Sequence, residues 1–453
     1  MPFAIKQPGV YVEEVPECAR PIKGISTSIT AFVGRALKGP VDEPVPVHNS
    51  GEFDLIFGGL WEKSTMSFAV HQYFLNGGGD AVIVRVKGTS PEKTSILYPD
   101  RTSKFHSGRT SKLYLDRTSK TGSGSEIPGS SGSDNSSYSS SDCDIRDEDL
   151  MPASPETGKG IYALEKADLF NLLCLPPLDF GRDLAPDTLA KAASYCEKRR
   201  ALLLIDPPAE ARDPGSITAF LRDKLQMSMQ VSSQASGKKN AALFFPRIKM
   251  ANPLKNNQVE EFAPSGAAAG IFARTDKERG VWKAPAGMDA VLMGVRGLSC
   301  TLTDAENGEL NRYGINCLRT FPARGSVIWG ARTLDGADTN ASEWKYIPVR
   351  RLALYIEESL LRGTKWAALE PNSEPLWAQL RLNIAEFMHN LFTQGAFAGE
   401  TPRETYFVKC DRETTTQNDL NQGFINILVG FAPVKPSEFI ILRIRQQTRK
   451  DPE

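Results

Sequence analysis

Four histidines are the first side chains to test for catalysis or metal binding: His48, His71, His106 and His389. None stands in an HExxH or HxH pattern, so a metal site would have to be assembled from distant loops. His389 falls on the flank of a long helical stretch and reads as an ordinary helix residue. The run Asn76-Gly-Gly-Gly-Asp80 resembles a phosphate cradle, but it precedes a strand-like segment. A phosphate-binding loop follows a strand and opens a helix, so this run reads as a turn. Asp206 closes an apolar strand, where α/β enzymes place working carboxylates. Pro207-Pro208 follows it and no second well-placed carboxylate accompanies it, which favours a residue that merely ends a strand. No GxSxG, HRD or Cys/His pair is present. Cys18, Cys143, Cys174, Cys196, Cys300, Cys317 and Cys410 contain no CxxC and read as reduced, mostly buried small hydrophobes. On this reading no catalytic, cofactor-binding or metal-binding residue is assigned, and no cofactor is expected.

The elements that would have to position such residues describe a large globular chain. It has 453 residues, 54 Lys+Arg against 54 Asp+Glu and 40% hydrophobic residues, enough for two to four domains. A balanced charge argues against general nucleic-acid or anionic-membrane binding. The apolar runs, such as Ala201-Leu-Leu-Leu-Ile205, fall short of the roughly 20 residues that span a bilayer. The first residues carry no apolar stretch behind a basic start, so assembly in a bacterial cytoplasm is expected.

An α/β pattern starts near residue 28. Strands are expected at 29–33 and Asp80–Val86, with a helix at Thr65–Leu75 between them. The strand Leu169–Pro177, a helix over Pro186–Arg199 and the strand Ala201–Asp206 spell a buried parallel pair with a crossover helix. A helix near 215–226 and the strand Ala241–Phe245 extend that sheet. Residues 88–156 depart from the pattern. Arg-Thr-Ser-Lys recurs at 101, 109 and 117, and Ser and Gly take 14 of the 22 positions from Thr121 to Asp142. Too few apolar side chains are present to offset ordering entropy, so a flexible surface insertion is expected. Its basic repeat reads as solvated loop, given the acidic run at Asp142–Asp149.

Past residue 290 come Ile315–Arg319, Ser326–Trp329, a helix near Arg350–Arg362 and a helix over Glu374–Thr393. In the last, Leu380, Ile384, Phe387, Met388 and Leu391 form one apolar stripe. The chain closes on Gly423–Gly430 and Ser437–Gln446, both strand-like. Val10–Val12 and Phe439–Ile444 thus lie outside any visible hairpin. Apolar edge strands invite unwanted pairing, so a partner should cover them, and strand donation between subunits meets that need.

The sequence resembles the sheath proteins of contractile phage tails and related injection systems. The resemblance is carried by Pro8-Gly-Val-Tyr-Val-Glu-Glu14, Thr30–Ala36, Phe74–Arg85, Pro264–Asp276, Gly280–Gly287, Leu310–Asn316, Trp329–Leu334, Tyr346–Leu352, Glu370-Pro-Asn372 and Ala432–Ile440. It implies a structural subunit that polymerises helically around an inner tube and contracts to drive the tube through a target envelope. The fold implied is a multidomain mixture of α/β and α+β. It comprises an N-terminal linking arm (1–27), an outer α/β domain (28–87 and 157–290), the insertion (88–156), an inner C-terminal sheath domain (291–435) and a C-terminal arm (436–453). Neighbouring subunits would complete the inner domain with donated strands. The carry-over falls on Val10, Tyr11 and Val12 for one arm and on Phe439, Ile440, Ile441, Leu442 and Ile444 for the other. Arg350, Arg351, Glu357 and Glu358 are candidates for touching the tube.

The partners implied are further copies or paralogous sheath subunits, the tube protein, and baseplate and terminator proteins, with no nucleic acid and no direct membrane insertion. The particle would be a phage tail or a released extracellular phage tail-like particle, the latter being favoured. Two other readings stand beside it. One is a baseplate or tail-terminator ring component. The other is a doubly wound α/β nucleotide-binding enzyme.

Overall fold

The computed structural model describes residues 20–88, 144–231 and 237–437. The first part of the chain runs β1 (Thr30–Gly34), β2 (Pro44–Val47), α1 (Ser50–Phe57), α2 (Thr65–Leu75), β3 (Ala81–Arg85), α3 (Asp147–Leu150), β4 (Leu172–Cys174), α4 (Pro186–Lys198), β5 (Leu202–Ile205), α5 (Pro214–Ala219) and α6 (Gln226–Val231). It continues through β6 (Ala241–Phe245), β7 (Ile248–Asn252), β8 (Gln258–Phe262), α7 (Ser265–Arg279), β9 (Val295–Leu298), α8 (Asp304–Arg312), β10 (Ile315–Phe321) and β11 (Gly325–Ile328). Eight of these strands form one sheet in the order β11-β10-β6-β5-β4-β1-β3-β2. Its interior is parallel, and only the outermost pairs, β11 with β10 and β2 with β3, are antiparallel.

Near-continuous apolar strands predict a sheet covered on both faces, and alternate residues do go to opposite sides. Ala31, Val33, Leu173, Leu203, Ile205 and Leu243 face a core shared with α4. Phe32, Ile83, Leu172, Leu204 and Phe244 face α2 and α7. Burying each Val, Leu, Ile or Phe contributes about 1.5 to 3 kcal/mol. The two helices on the second face cross closely because α7 carries glycine at the contact. A Cβ on Gly266 would sit 2.1 Å from the Ala69 carbonyl oxygen, and one on Gly270 2.5 Å from that of Tyr73.

Two expectations are corrected here. Residues 315–328, assigned by sequence to an inner domain beginning at 291, belong to the large sheet, since β10 pairs in parallel with β6. The segment 144–156, assigned to the surface insertion, packs into the main core instead. Ile145, Leu150 and Met151 are 1%, 2% and 6% exposed. Three apolar residues inside an acidic run are too few to register as periodicity, yet they fill a gap in the core. Residues 89–143 lie outside the described part.

The second part comprises α9 (Ile347–Gly363), α10 (Glu374–Thr393), α11 (Pro402–Thr405), β12 (Tyr406–Lys409), α12 (Gln417–Asn421) and β13 (Leu428–Phe431). The stripe expected on the long helix is real: Leu380, Ile384, Phe387, Met388 and Leu391 of α10 are all buried. Ile384, Phe387, Met388 and Leu391 form a separate core with Leu352 and Ile356 of α9 and with Ile22. The antiparallel pair β12–β13 lays Tyr406, Val408, Val429 and Phe431 onto this core. The entering chain runs along α9. There Ile25 N–H donates to Ser359 Oγ (3.3 Å), Arg351 Nη2 donates to the Thr27 carbonyl (2.8 Å) and the Arg20 guanidinium lies 4.7 Å from the Trp366 ring centre.

Candidate assembly site

The residues that looked chemical in the sequence have structural employment. Asp206 accepts from Ser265 N–H and Oγ–H, both at 2.7 Å, and so caps the start of α7 across the sheet. Desolvation pushes its carboxyl up to about 6. His48 Nδ1 lies 2.7 Å from Asp80 Oδ1 at the surface, and that hydrogen bond raises the imidazole above its ordinary value. His71 and His389 are exposed, and His106 lies outside the described residues. Cys174, Cys196, Cys317 and Cys410 are buried free thiols, and desolvation raises each of them. Among the described residues no group of three or more His, Cys, Asp or Glu side chains could hold a metal ion. No described helix is long and apolar enough to cross a membrane.

The four charged residues of α9 named as tube candidates have partners within the chain. Arg351 makes a bidentate pair with Asp276 of α7 (2.8 and 2.5 Å), both side chains being 3% exposed, and lies over the Phe272 ring. Arg350 is buried against Trp344, donates to Asn240 Oδ1 (3.1 Å) and reaches Glu357 (3.3 Å). Glu358 accepts from Arg362 (2.7 Å) and Arg200 (3.2 Å), and Arg362 also holds Asp168 (2.7 Å). These bonds clamp α9 to the large-sheet half. Planar guanidinium forks suit the task because one side chain can bridge two segments.

The remaining quoted motifs serve the same internal stitching. Arg85 donates to the carbonyls of Ala36 (2.9 Å) and Gly39 (2.7 Å). Arg274 donates to the carbonyl of Val291 (2.9 Å). Asn316 accepts from Arg332 N–H (2.7 Å) and donates to the Arg332 carbonyl (2.8 Å). Arg332, 1% exposed, reaches Asp338 (2.8 Å). Sequence reasoning quoted these segments but missed their role. The available signal was an Arg or Asp repeatedly embedded among apolar motif residues.

The edges of the sheets differ in openness. β2 carries Pro44 and Pro46, whose missing N–H groups blunt that end of the large sheet. β11, at the other end, is covered by the 287–292 segment through Gly287 N–H to the Ile328 carbonyl (2.8 Å) and Leu292 N–H to the Ser326 carbonyl (2.8 Å). The small sheet β8-β7-β9 ends on β8, whose Glu260 and Glu261 face Lys255, Lys249 and Arg212. β12–β13 has only two strands, and its outer face exposes Phe407 and Leu428 by 48% and 52%. Phe407 lies across Gly430, where a Cβ would come within 2.2 Å of the ring. Beside it, Asn372 Nδ2 donates to the Phe424 carbonyl (3.0 Å) and Asn372 Oδ1 accepts from Trp377 Nε1 (2.8 Å). The bond to Phe424 ties the α9–α10 loop to the segment that precedes β13. Leu369 of this loop is fully exposed and held at φ +73°. The arm residues Val10, Tyr11, Val12, Phe439, Ile440, Ile441, Leu442 and Ile444 all lie outside the described residues.

A groove of about 1480 Å³ separates α8 and the 282–287 and 329–339 segments from Val434, Pro436 and Ser437. It exceeds the roughly 300 to 1,000 Å³ of ordinary small-molecule clefts.

Comparison with known proteins agrees with this architecture. Residues 158–334 match the phage tail sheath protein central domain and residues 339–447 the phage tail sheath C-terminal domain. A putative prophage major tail sheath protein of Pseudomonas aeruginosa is 26% identical over 53% of this chain and 57% of its own length. The tail sheath protein of Vibrio phage KVP40 is 26% identical over 42% of this chain and 27% of its own. The chain thus spans little more than half, or less, of the curated relatives it matches. Among solved structures, a chain of the anti-feeding prophage helical sheath in its contracted state is 26% identical. It covers 98% of this chain and 100% of its own, with a TM-score of 0.66. A chain of the sheath complex of an extracellular contractile injection system, also contracted, shares the fold at 23% identity over 98% and 99%, with a TM-score of 0.68. Matched by both sheath domain models and, end to end, by solved sheath chains, the chain belongs to the phage tail sheath family.

Proposed function

We propose that the chain is the structural subunit of a contractile sheath, polymerising helically around an inner tube and contracting to drive that tube through a target envelope. The observation that carries this reading is the end-to-end match to a chain of a helical sheath in its contracted state. The family is structural, and on this reading contraction draws on subunit packing rather than on a bound cofactor. The particle is read as a released phage tail-like injection particle, because solved sheaths of such particles match over nearly the whole chain.

Continuity of the mesh is assigned to strand donation. Val10–Val12 and Phe439–Ile444 of one subunit would add to the two-stranded sheet of another, a form of β-augmentation. Burying five apolar side chains of the C-terminal arm contributes about 1.5 to 3 kcal/mol each. Ordering costs roughly 1 to 2 kcal/mol for each residue fixed. One such link is therefore marginal, and repetition along a lattice makes it cooperative.

Ile441→Pro tests this, since proline removes a ladder donor. The expected result is a folded subunit by circular dichroism that forms no cylinders under negative stain. Cylinders of normal length would overturn donation by the C-terminal arm. If the wild-type chain, purified as its particle, showed no cross-striated hollow cylinder, the sheath reading itself would fall.

A further inference from the structure

We propose that the cavity between α2, β8 and the turn after β4 is a binding site for one water molecule, which donates one hydrogen to Gln72 Oε1 and the other to β8 at Glu261. The starting point is Gln72. Its side chain is 2% exposed, its Oε1 is buried, and among the described residues no donor reaches that oxygen. A buried acceptor without a donor forfeits the hydrogen bonds it made with water in the unfolded chain. Native interiors meet that cost with a protein group or with an ordered water.

The cavity beside Gln72 has the size for the second solution. It measures about 10 Å³ and is bordered by Thr65, Phe68 and Gln72 of α2 and by Glu261 and Phe262 of β8. One water needs roughly 10 to 15 Å³, so a single molecule fits and a larger guest does not. The apolar wall is an aromatic trio: the Phe68 ring centre lies 5.0 Å from that of Phe262 and 5.6 Å from that of Phe180, and Phe180 lies 5.9 Å from Phe262. Phe180 is presented by a tight turn, in which Gly181 N–H donates to Asp179 Oδ1 (2.8 Å) and Arg182 Nε to Asp179 Oδ2 (2.5 Å).

The polar groups on the wall decide the chemistry of the guest. Arg247 gives Nε to the Pro207 carbonyl (3.0 Å) and Nη2 to Asp183, and Asp179 is engaged by its own turn. What stays open is acceptors. Thr65 Oγ1 sends its hydrogen to the Pro177 carbonyl and keeps its lone pairs. The Glu261 carboxylate meets Arg212 and Lys249 only at 3.7 and 3.9 Å, longer than hydrogen bonds. With Gln72 Oε1 they form a cavity that repels anions and calls for a compact molecule with two hydrogens to give. Water answers that description. Ammonium has the hydrogens too, but it would have to shed its hydration against three phenylalanine rings with one partly exposed carboxylate in return. A water here links α2, packed on the large sheet, to β8, the outer strand of the small one.

Substitution separates a held water from a dry cavity, because the two make opposite demands on the same variant. Gln72→Met keeps the length of the side chain and deletes the acceptor. With a water in place, the variant strands that water and the urea midpoint of the full-length chain falls at unchanged slope. In a dry cavity the variant only removes an unpaired polar atom, so a midpoint that holds or rises would overturn the proposal. A density map of the full-length chain that resolves ordered waters gives the direct readout, and decides the matter even if Gln72→Met does not fold. The expected result is a peak at hydrogen-bond distance from the Gln72 amide in wild type, and its absence would overturn the site. Ammonium chloride and sodium chloride at equal ionic strength test the guest. Equal midpoints are expected; a gain in ammonium that wild type shows and Gln72→Met lacks would make the guest a cation and overturn water.

Discussion

The eight-stranded sheet ends on both sides in strands that refuse further partners, whereas the two-stranded sheet ends in strands that do not. Pro44 and Pro46 blunt β2, and the 287–292 segment occupies β11. In β12–β13, by contrast, half-exposed Phe407 and Leu428 stand on a ribbon too narrow to be stable without the helices beneath it. The difference teaches where a polymer-forming chain can leave backbone unpaired. On the strand-donation proposal, association would use the small ribbon, while the large apolar sheet is closed by prolines at one edge and a covering segment at the other.

That contrast can be broken most severely by attacking the sealed half. Deleting 89–155 removes Ile145, Leu150 and Met151, and truncating even one such residue to alanine costs about 2 to 5 kcal/mol. The expected outcome is failure to fold, read as loss of a cooperative melt by circular dichroism. Deleting 91–142 spares those three residues, and its melt should stay close to wild type because the cost of closing a loop depends weakly on its length. Next in size, Arg351→Ala leaves Asp276 buried without its partner, at a cost of about 3 to 5 kcal/mol in chemical denaturation. Smaller in stability but sharper for the comparison is Pro46→Thr, which restores an N–H to the β2 edge. It should leave the melt within about 1 kcal/mol of wild type and raise non-specific association by light scattering.

The smallest effect concerns Asp206, inside the sealed half. Its folded-state value of about 6 lies above the ordinary carboxylate value, so ionisation opposes folding at neutral pH and that penalty fades as pH falls through 6. Asp206→Asn keeps an acceptor for Ser265 N–H and carries no charge. Wild type should therefore gain stability relative to Asp206→Asn between pH 7 and pH 5, measured by denaturation at both. Asp206→Ala, which removes the cap, should be less stable than Asp206→Asn at pH 7.

Sequence patterns made elements of both parts legible where local signals sufficed. The β4–α4–β5 unit and the α10 stripe stand out because continuous apolar strands and a 3.6-residue period are written in neighbouring residues. The membership of β10 was not legible, since its pairing joins Ile315 to Leu243 across β7, β8, α7, β9 and α8. Nor was the inward turn of Arg350 and Arg351. A charge becomes buried when a distant partner exists, and Asp276 sits on another helix. Of the proposed assembly site, the arm segments are named in the sequence by apolar alternation without a hairpin mate, and they lie outside the described residues. The open ribbon was visible only in part, since Gly423–Gly430 was read as one strand whereas β13 spans only Leu428–Phe431.

The path of residues 20–27 along α9 has a mechanical consequence. A pull on the N-terminal segment is resisted first by Arg20 on Trp366, Ile25 on Ser359 and the Thr27 carbonyl on Arg351, which act side by side along α9 and the turn just after it. Bonds loaded side by side share force, whereas an edge strand peeled from a sheet breaks its bonds one at a time. Through Arg351 the load passes to Asp276 and α7, and from there into the parallel sheet. Tension entering at the N-terminal end thus meets an ion pair whose two side chains are both 3% exposed before it reaches any β-ladder.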